Sequence, residues 1–242
     1  DSQEESIADV VPDRRKGGAS RRPQTPENSD DEVAQAPQRR KPAASRPLNN
    51  QCEFNPQELI ALIPENLVGA TTTSSPTLYF SIPAIAAATE IEFVLRGPND
   101  ELVEKKTFSG QGKAGIMSLQ LPNVAPVANP NSPNNYHWYL SVICNQADRA
   151  YDVVVEGLLQ PVTLESNVVR QLEGATIQER VQVYQTHKVW HETLNTIAEL
   201  KRSQPQNTNV SQQLEDLLKS VDLNPIIGQQ PLLEPQVLSL NR

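Results

Sequence analysis

Three histidines are the side chains of this chain best suited to proton transfer or metal binding near neutral pH. His187 and His191 are four residues apart in a segment with helical periodicity, the spacing that zinc hydrolases use for two ligands. Lys188, which follows His187, would repel a cation, and no third ligand is evident. We therefore expect no bound metal, with His187 on the core side of the helix and His191 in solvent.

The third histidine, His137, lies between Tyr136 and Trp138 in a predicted strand. Side chains alternate across a strand, so His137 and Trp138 point to opposite faces. We interpret His137 as a structural histidine with hydrogen-bond partners rather than as a catalytic base.

Other patterns that could support chemistry are incomplete. No serine stands in a Gly-x-Ser-x-Gly elbow, and Gly110-Gln111-Gly112-Lys113 is too short for a phosphate loop and precedes a strand. Asn99-Asp100-Glu101 lacks the spaced ligands of a calcium loop. Asp148, Arg149 and Asp152 indicate a local ion pair. We expect no catalytic residue and no cofactor.

Composition and charge limit the classes of partner. Of 242 residues 37% are hydrophobic, and the net charge of −8 lies in residues 51–242 because residues 1–50 carry equal numbers of acids and bases. An acidic body disfavours nucleic acid, whose binding depends on neutralising phosphates. No apolar run reaches the roughly 18–20 residues of a transmembrane helix.

Two cysteines, Cys52 and Cys144, flank most of the apolar strands. They would pair in an exported protein and remain buried thiols in a cytosolic one. The chain begins at Asp1 rather than Met, as a cleaved signal peptide or a trimmed chain would. We expect an exported protein with a Cys52–Cys144 disulfide, located in the periplasm, at the cell surface or outside the cell.

Residues 51–163 have the pattern of an immunoglobulin-like antiparallel β-sandwich. Short apolar stretches alternate with polar residues and are separated by Gly, Pro and Asn. Phe93, Trp138 and Tyr139 are predicted core residues. Strands are expected at 77–83, 90–95, 101–108, 115–122, 136–144 and 151–159.

The hydrophobic period becomes helical after the predicted sandwich. One helix is predicted from Ile177 to Lys201–Arg202, with Trp190 as a core residue, and a second over residues 210–221. Residues 164–223 therefore read as an αα-hairpin. Residues 224–242 are Pro-rich and are predicted to form an extended tail.

Residues 1–50 are polar and are predicted to be disordered or extended. We interpret their small basic clusters first as parts of a solvated linker. The functional alternative is a tether that contacts the cell wall or a glycan, a lipid surface or a partner. The single apolar island contains Ile7, Ala8, Val10 and Val11, whose β-branched members suit an edge strand. The alternative is that this island pairs with the sheet of a neighbouring subunit.

An ordered string of motifs extends over about residues 52–223. Its members are Cys52, 59–65, 69–73, 76–83, 92–95, 115–116, 136–139, 143–144, 148–149, 155–157 and the helix 190–200. This string resembles the domain-of-unknown-function family DUF928. The resemblance implies an exported cyanobacterial protein and no known activity.

Three functions follow as hypotheses. The first is an exported, non-enzymatic interaction module of the cell envelope that binds protein or glycan partners. The second is a subunit of an extracellular filament or surface assembly, in which the N-terminal segment pairs with a neighbour. The third is a hydrolase whose site has no recognisable motif.

Overall fold

Two β-sheets pack face to face in a computed structural model of the protein, which describes residues 40–42, 52–124 and 134–238. The small sheet has the strand order β1-β3-β6-β9, and the large sheet has the order β10-β5-β4-β7-β8-β2. The strands are β1 (Ile60–Ala61), β2 (Val68–Thr71), β3 (Thr77–Ile82), β4 (Glu90–Arg96), β5 (Leu102–Ser109), β6 (Gly115–Gln120), β7 (Tyr136–Val142), β8 (Val153–Pro161), β9 (Leu232–Leu233) and β10 (Gln236–Val237).

The prediction of a mainly β sandwich followed by helices is confirmed. The six long strands lie within a few residues of their predicted positions, and their neighbours pair antiparallel. Two pairs at the sheet edges, β2–β8 and β6–β9, are parallel. These pairs join segments far apart in the sequence, which the local alternation of side chains cannot indicate.

Alternating burial along β4 and β7 places one row of side chains between the sheets. Trp138 and Phe93 are fully buried there, and Trp138 meets Phe80 of the small sheet edge to face, with ring centroids 5.5 Å apart. Such aromatic contacts add to the burial of the rings themselves. The inter-sheet core therefore contains both of these predicted core residues.

The small sheet is buried on both faces. In β3, Leu78 and Phe80 belong to the inter-sheet core, whereas Tyr79 packs in a second apolar cluster with the helices. In β6, Ile116 belongs to that second cluster and Met117 to the first. The predicted sandwich and the helical part thus share one apolar cluster, and the described part of the protein has three layers.

Four α-helices follow β8 in the described residues, where the sequence predicted a pair. They are α1 (Ser166–Gly174), α2 (Ile177–Thr186), α3 (Trp190–Ser203) and α4 (Thr208–Lys219). The helix α1 was missed, because it is short and has only three apolar side chains, Val168, Val169 and Leu172, of which only Val168 is buried. The long helix predicted from Ile177 is divided between α2 and α3.

The C-terminal tail was predicted to be simply extended, but its described part joins both sheets. A 3₁₀ turn at Pro225–Gln229 precedes β9, which pairs with β6, and β10 then pairs with β5. Arg40, within the segment predicted to be disordered, accepts a hydrogen bond from the Ala61 amide and donates to the Val221 carbonyl. The predicted inter-subunit strand Ile7–Val11 lies outside the described residues.

The Cys52 and Cys144 sulfur atoms lie at disulfide distance, with the two Cα atoms 5.0 Å apart. The pair joins the segment before β1 to the residues just after β7 and encloses a sequence separation of 92 residues. In the chain-entropy view, a cross-link over so long a loop removes much freedom from the unfolded chain.

We predict that the double variant Cys52→Ser, Cys144→Ser has a free energy of unfolding lower by about 4 kcal/mol, because the unfolded chain regains that freedom. Urea denaturation measures the difference. Adding reductant should bring the wild type to the level of the double variant and leave the variant unchanged. An equal effect of reductant on both proteins would contradict the prediction.

Candidate functional site

A cleft of about 1020 Å³ lies where the helices meet the β2–β8 edge of the large sheet. Its walls come from β2, the end of β8 with the following segment, α1, the α2–α3 turn and the end of α4. Such a concave junction between elements is where ligands commonly bind.

Side-chain amides dominate the polar lining of this cleft. The side chains of Gln160, Gln171 and Gln185 make no hydrogen bond within the described part of the chain, so their amide donors and acceptors are available. Among the described residues that line the cleft, Glu165 carries the one carboxylate and Lys188 the one lysine or arginine charge, so these two charges are opposite. The five lining amides are Asn66, Gln160, Asn167, Gln171 and Gln185. The cleft is therefore polar with little net charge.

Two hydrogen bonds, one buried and one partly buried, tie α3, which lines the cleft, to the small sheet. The Trp190 indole donates to the Leu62 carbonyl at 2.8 Å, and the Tyr79 hydroxyl donates to the Asn195 side-chain oxygen at 2.7 Å. Trp190 packs in the cluster between the sheet and the helices, as its prediction as a core residue requires. Burial raises the pKa of Tyr79 strongly, so its hydroxyl keeps its proton. These bonds fix the position of α3 beside the cleft.

The turn between α2 and α3 forms part of the cleft wall. Lys188 has a φ of 55°, in the left-handed region. The Val189 amide donates to the Tyr184 carbonyl and the Lys188 amide to the Gln185 carbonyl, which is the Schellman pattern of a helix end. Glycine usually occupies the position of Lys188 in this motif. The sequence predicted an unbroken helix because lysine gives no stop signal.

We predict that Lys188→Gly raises the free energy of unfolding by about 0.5–1 kcal/mol, because glycine removes the left-handed strain. As a matched control, Arg180→Gly within α2 should lower it by about 0.5–1 kcal/mol, because glycine is a poor helix former there. Thermal and urea denaturation measure both effects. A loss of stability in Lys188→Gly would contradict the assignment of this turn.

The positions of the two helical histidines are the reverse of the prediction. His191 is buried, with 1% of its surface exposed, whereas His187 is exposed and lines the cleft. The prediction was wrong because the turn at Lys188 interrupts the helical phase that linked the two residues. His191 packs against Gly69, where a Cβ atom would lie 2.1 Å from its Nε2 atom. In the described residues no group of three or more His, Cys, Asp or Glu could hold a metal ion.

Glu192, next to His191, anchors α3 to the turn after β2. Its Oε1 atom accepts hydrogen bonds from the Thr71 hydroxyl at 2.6 Å and from the Thr72 and Thr73 amides at 3.1 Å each. A carboxylate that receives several donors is a strong local tie. Sequence reasoning missed this contact because the two segments are 120 residues apart.

Burial makes His191 sensitive to acid. Loss of solvent lowers its pKa from the usual 6.5 to about 4, although the Thr77 backbone opposes this lowering. Neither nitrogen of the His191 ring has a hydrogen-bond partner among the described residues at normal distance and angle. Between pH 6.5 and 4 the unfolded chain therefore takes up a proton that the folded protein does not.

We predict that the free energy of unfolding falls by roughly 3 kcal/mol more in the wild type than in His191→Gln as the pH drops from 6.5 to 4. The stability that depends on neutral His191 is fully present above pH 6.5, is lost as the pH falls from 6.5 to 4, and does not change further below about pH 4. Urea denaturation at stepped pH measures the slopes. His187→Gln, at an exposed position, should keep the wild-type slope, and an unchanged slope in His191→Gln would refute the assignment.

The solvent-facing side of the large sheet carries a hydrogen-bonded chain of three side chains. His137 Nε2 lies 3.1 Å from the Glu156 carboxylate, and the Tyr139 hydroxyl lies 2.9 Å from His137 Nδ1. The order hydroxyl, imidazole, carboxylate is that of a nucleophilic triad. Burial, followed by the Glu156 charge, raises the pKa of Tyr139, which makes the phenol a poorer nucleophile. Tyr139 is half-buried on this outer face, so its prediction as a core residue was wrong.

A second polar group lies on the same face. Arg149 contacts Asp152 at 2.6 Å, as the sequence indicated, and also Glu92 at 3.0 Å. Partial burial alone would favour neutral Glu92, but hydrogen bonds from Lys105 and Arg149 prevail and lower its pKa. Asp148 caps the short turn that holds Arg149.

The fold and the cleft define a β-sandwich protein with a helical layer and a polar cleft beside it. The sequence profile of the family described as Domain of Unknown Function (DUF928) matches residues 41–232, which is most of the chain, so the protein belongs to this family. A search of curated proteins finds no match. No helix of the described residues is long and apolar enough to cross a membrane.

Proposed function

We propose that this protein is an exported, non-enzymatic interaction module of the cell envelope, which binds a protein or glycan partner in the cleft. The observation that carries the proposal is the set of unpaired amides on the cleft wall, Gln160, Gln171 and Gln185. Polar groups with no partner in the protein are available to orient a ligand.

The lining favours binding over hydrolysis. It contains a single carboxylate, Glu165, whereas glycoside hydrolysis generally uses a pair. The chain of Tyr139, His137 and Glu156 lies on the outer face of the large sheet and lines none of the cleft. The raised pKa of Tyr139 also disfavours its use as a nucleophile.

Export is supported by the Cys52–Cys144 pair. Its atoms lie at disulfide distance, and structural disulfides persist mainly in oxidising compartments. A location in the periplasm, at the cell surface or outside the cell follows from this proposal.

The filament alternative needs a sheet edge that can accept a neighbour's strand. In the described residues β1, β9 and β10 each contain only two residues, and short edge strands are poor templates for pairing. At the longer edge strand β2, the Val68 amide donates to the Asn66 side chain and the following Thr72 amide donates to Glu192. These contacts favour the interaction module.

We predict that the wild type sediments with isolated cell envelopes of its host and that Gln171→Leu combined with Gln185→Leu binds at least about tenfold more weakly. Each lost hydrogen bond is worth about 0.5–1.5 kcal/mol, and about 1.4 kcal/mol is a factor of ten. Both residues are exposed on helices, so leucine should preserve the fold.

The matched control is Gln146→Leu combined with Gln236→Leu, which makes the same change at two exposed positions outside the cleft. The control should bind like the wild type. Equal binding by all three proteins, or no binding by the wild type, would contradict the proposed function.

A further inference from the structure

We infer that the partner in the cleft is a neutral glycan, an inference that rests on the proposed function and specifies its ligand. A side-chain amide offers both hydrogen-bond donors and acceptors, and so does each hydroxyl group of a sugar. The cleft presents such amides from separate elements: Gln160 on β8, Gln171 on α1 and Gln185 on α2. Together they can bind hydroxyl groups spaced along a sugar chain.

The charge of the cleft supports a neutral ligand. The body of the protein is acidic, yet the lining carries one negative side chain, Glu165, and one lysine, Lys188. A site for an anionic polymer would concentrate Lys and Arg, and a site for a cationic peptide would concentrate Asp and Glu. The described lining of the cleft concentrates neither basic nor acidic side chains.

The apolar part of the lining suits the carbon faces of sugar rings. Val68, Val162 and Leu164 line the cleft beside the amides, together with the largely buried Trp190. A sugar ring presents hydroxyl groups at its rim and C–H groups on its faces, so it matches a wall that mixes amide and apolar groups. The hydroxyl groups of the sugar then contact the amides, and its C–H faces contact the apolar side chains.

An extended peptide fits this cleft less well. Peptides commonly bind by adding a strand to a sheet edge, where main-chain hydrogen bonds supply the affinity. At the cleft that edge is β2, and the Val68 amide and the neighbouring Thr72 amide already donate to Asn66 and Glu192 at 3.2 and 3.1 Å. Strand addition would have to break these bonds.

The test uses the full chain and host cell envelopes treated in two ways. Protease digestion removes envelope protein, whereas periodate oxidation cleaves the vicinal diols of sugars. We expect wild-type binding to be retained after protease and reduced at least about tenfold after periodate, the same loss that the cleft variant shows on untreated envelopes. Because the ligand is neutral, binding should change less than about twofold between low and high salt.

The outcomes separate this inference from the proposed function. Loss of binding after protease treatment, or retention of binding after periodate treatment, overturns the glycan assignment. The cleft then still stands as a binding site if Gln171→Leu with Gln185→Leu binds weakly to untreated envelopes. A steep fall in binding with rising salt concentration overturns the assignment of the ligand as neutral. Undiminished binding by that cleft variant overturns the proposed function itself and the glycan inference with it.

Discussion

Burial of the small sheet on both faces is the constraint on which the rest of the structure depends. Phe80 must be covered by the large sheet and Tyr79, its neighbour in β3, by the helices. Burying a large apolar side chain contributes about 1.5–3 kcal/mol, so exposing either face would remove a large part of the net stability. The helical layer is therefore part of the core and cannot be a loosely attached appendage.

Apolar packing alone does not fix where a helix lies along a sheet. Here three directional contacts do so: Trp190 with the Leu62 carbonyl, Tyr79 with Asn195, and Glu192 with the turn after β2. All three involve α3, and two of the three tie it to the small sheet. Since α3 contributes residues to the cleft, the same contacts that order the layers also set the shape of the proposed binding site.

Two glycines in the large sheet show how closely the layers approach. A Cβ atom at Gly157 would lie 2.5 Å from the Trp138 ring, and one at Gly69 would lie 2.1 Å from the His191 Nε2 atom. Gly157 leaves room for the buried Trp138 in the inter-sheet core. Gly69 leaves room for the buried His191 between β2 and α3. The burial of His191 is a consequence of this fit, and the low pKa follows from the burial.

Local patterns in the sequence were sufficient to predict the sandwich. In β4 and β7 apolar and polar residues largely alternate along the sequence, which indicated strands buried on one face, and turn residues marked their ends. The strands β3 and β6 lack this alternation, a signal of burial on both faces that could have revealed the helical layer. For Cys52 and Cys144 the sequence left two alternatives, a disulfide or two buried thiols, and the structure places their sulfur atoms at disulfide distance.

What only the tertiary structure decided were the features that depend on contacts between distant segments. The break at Lys188 could not be predicted, because a left-handed lysine carries no local stop signal and is held by packing of Val189 and Trp190. That break exchanged the environments of His187 and His191. The cleft amides come from β8, α1 and α2, and each by itself is an ordinary polar residue. A sequence pattern specifies which face of an element is apolar, but a site assembled from several elements exists only once their packing sets the distances between them.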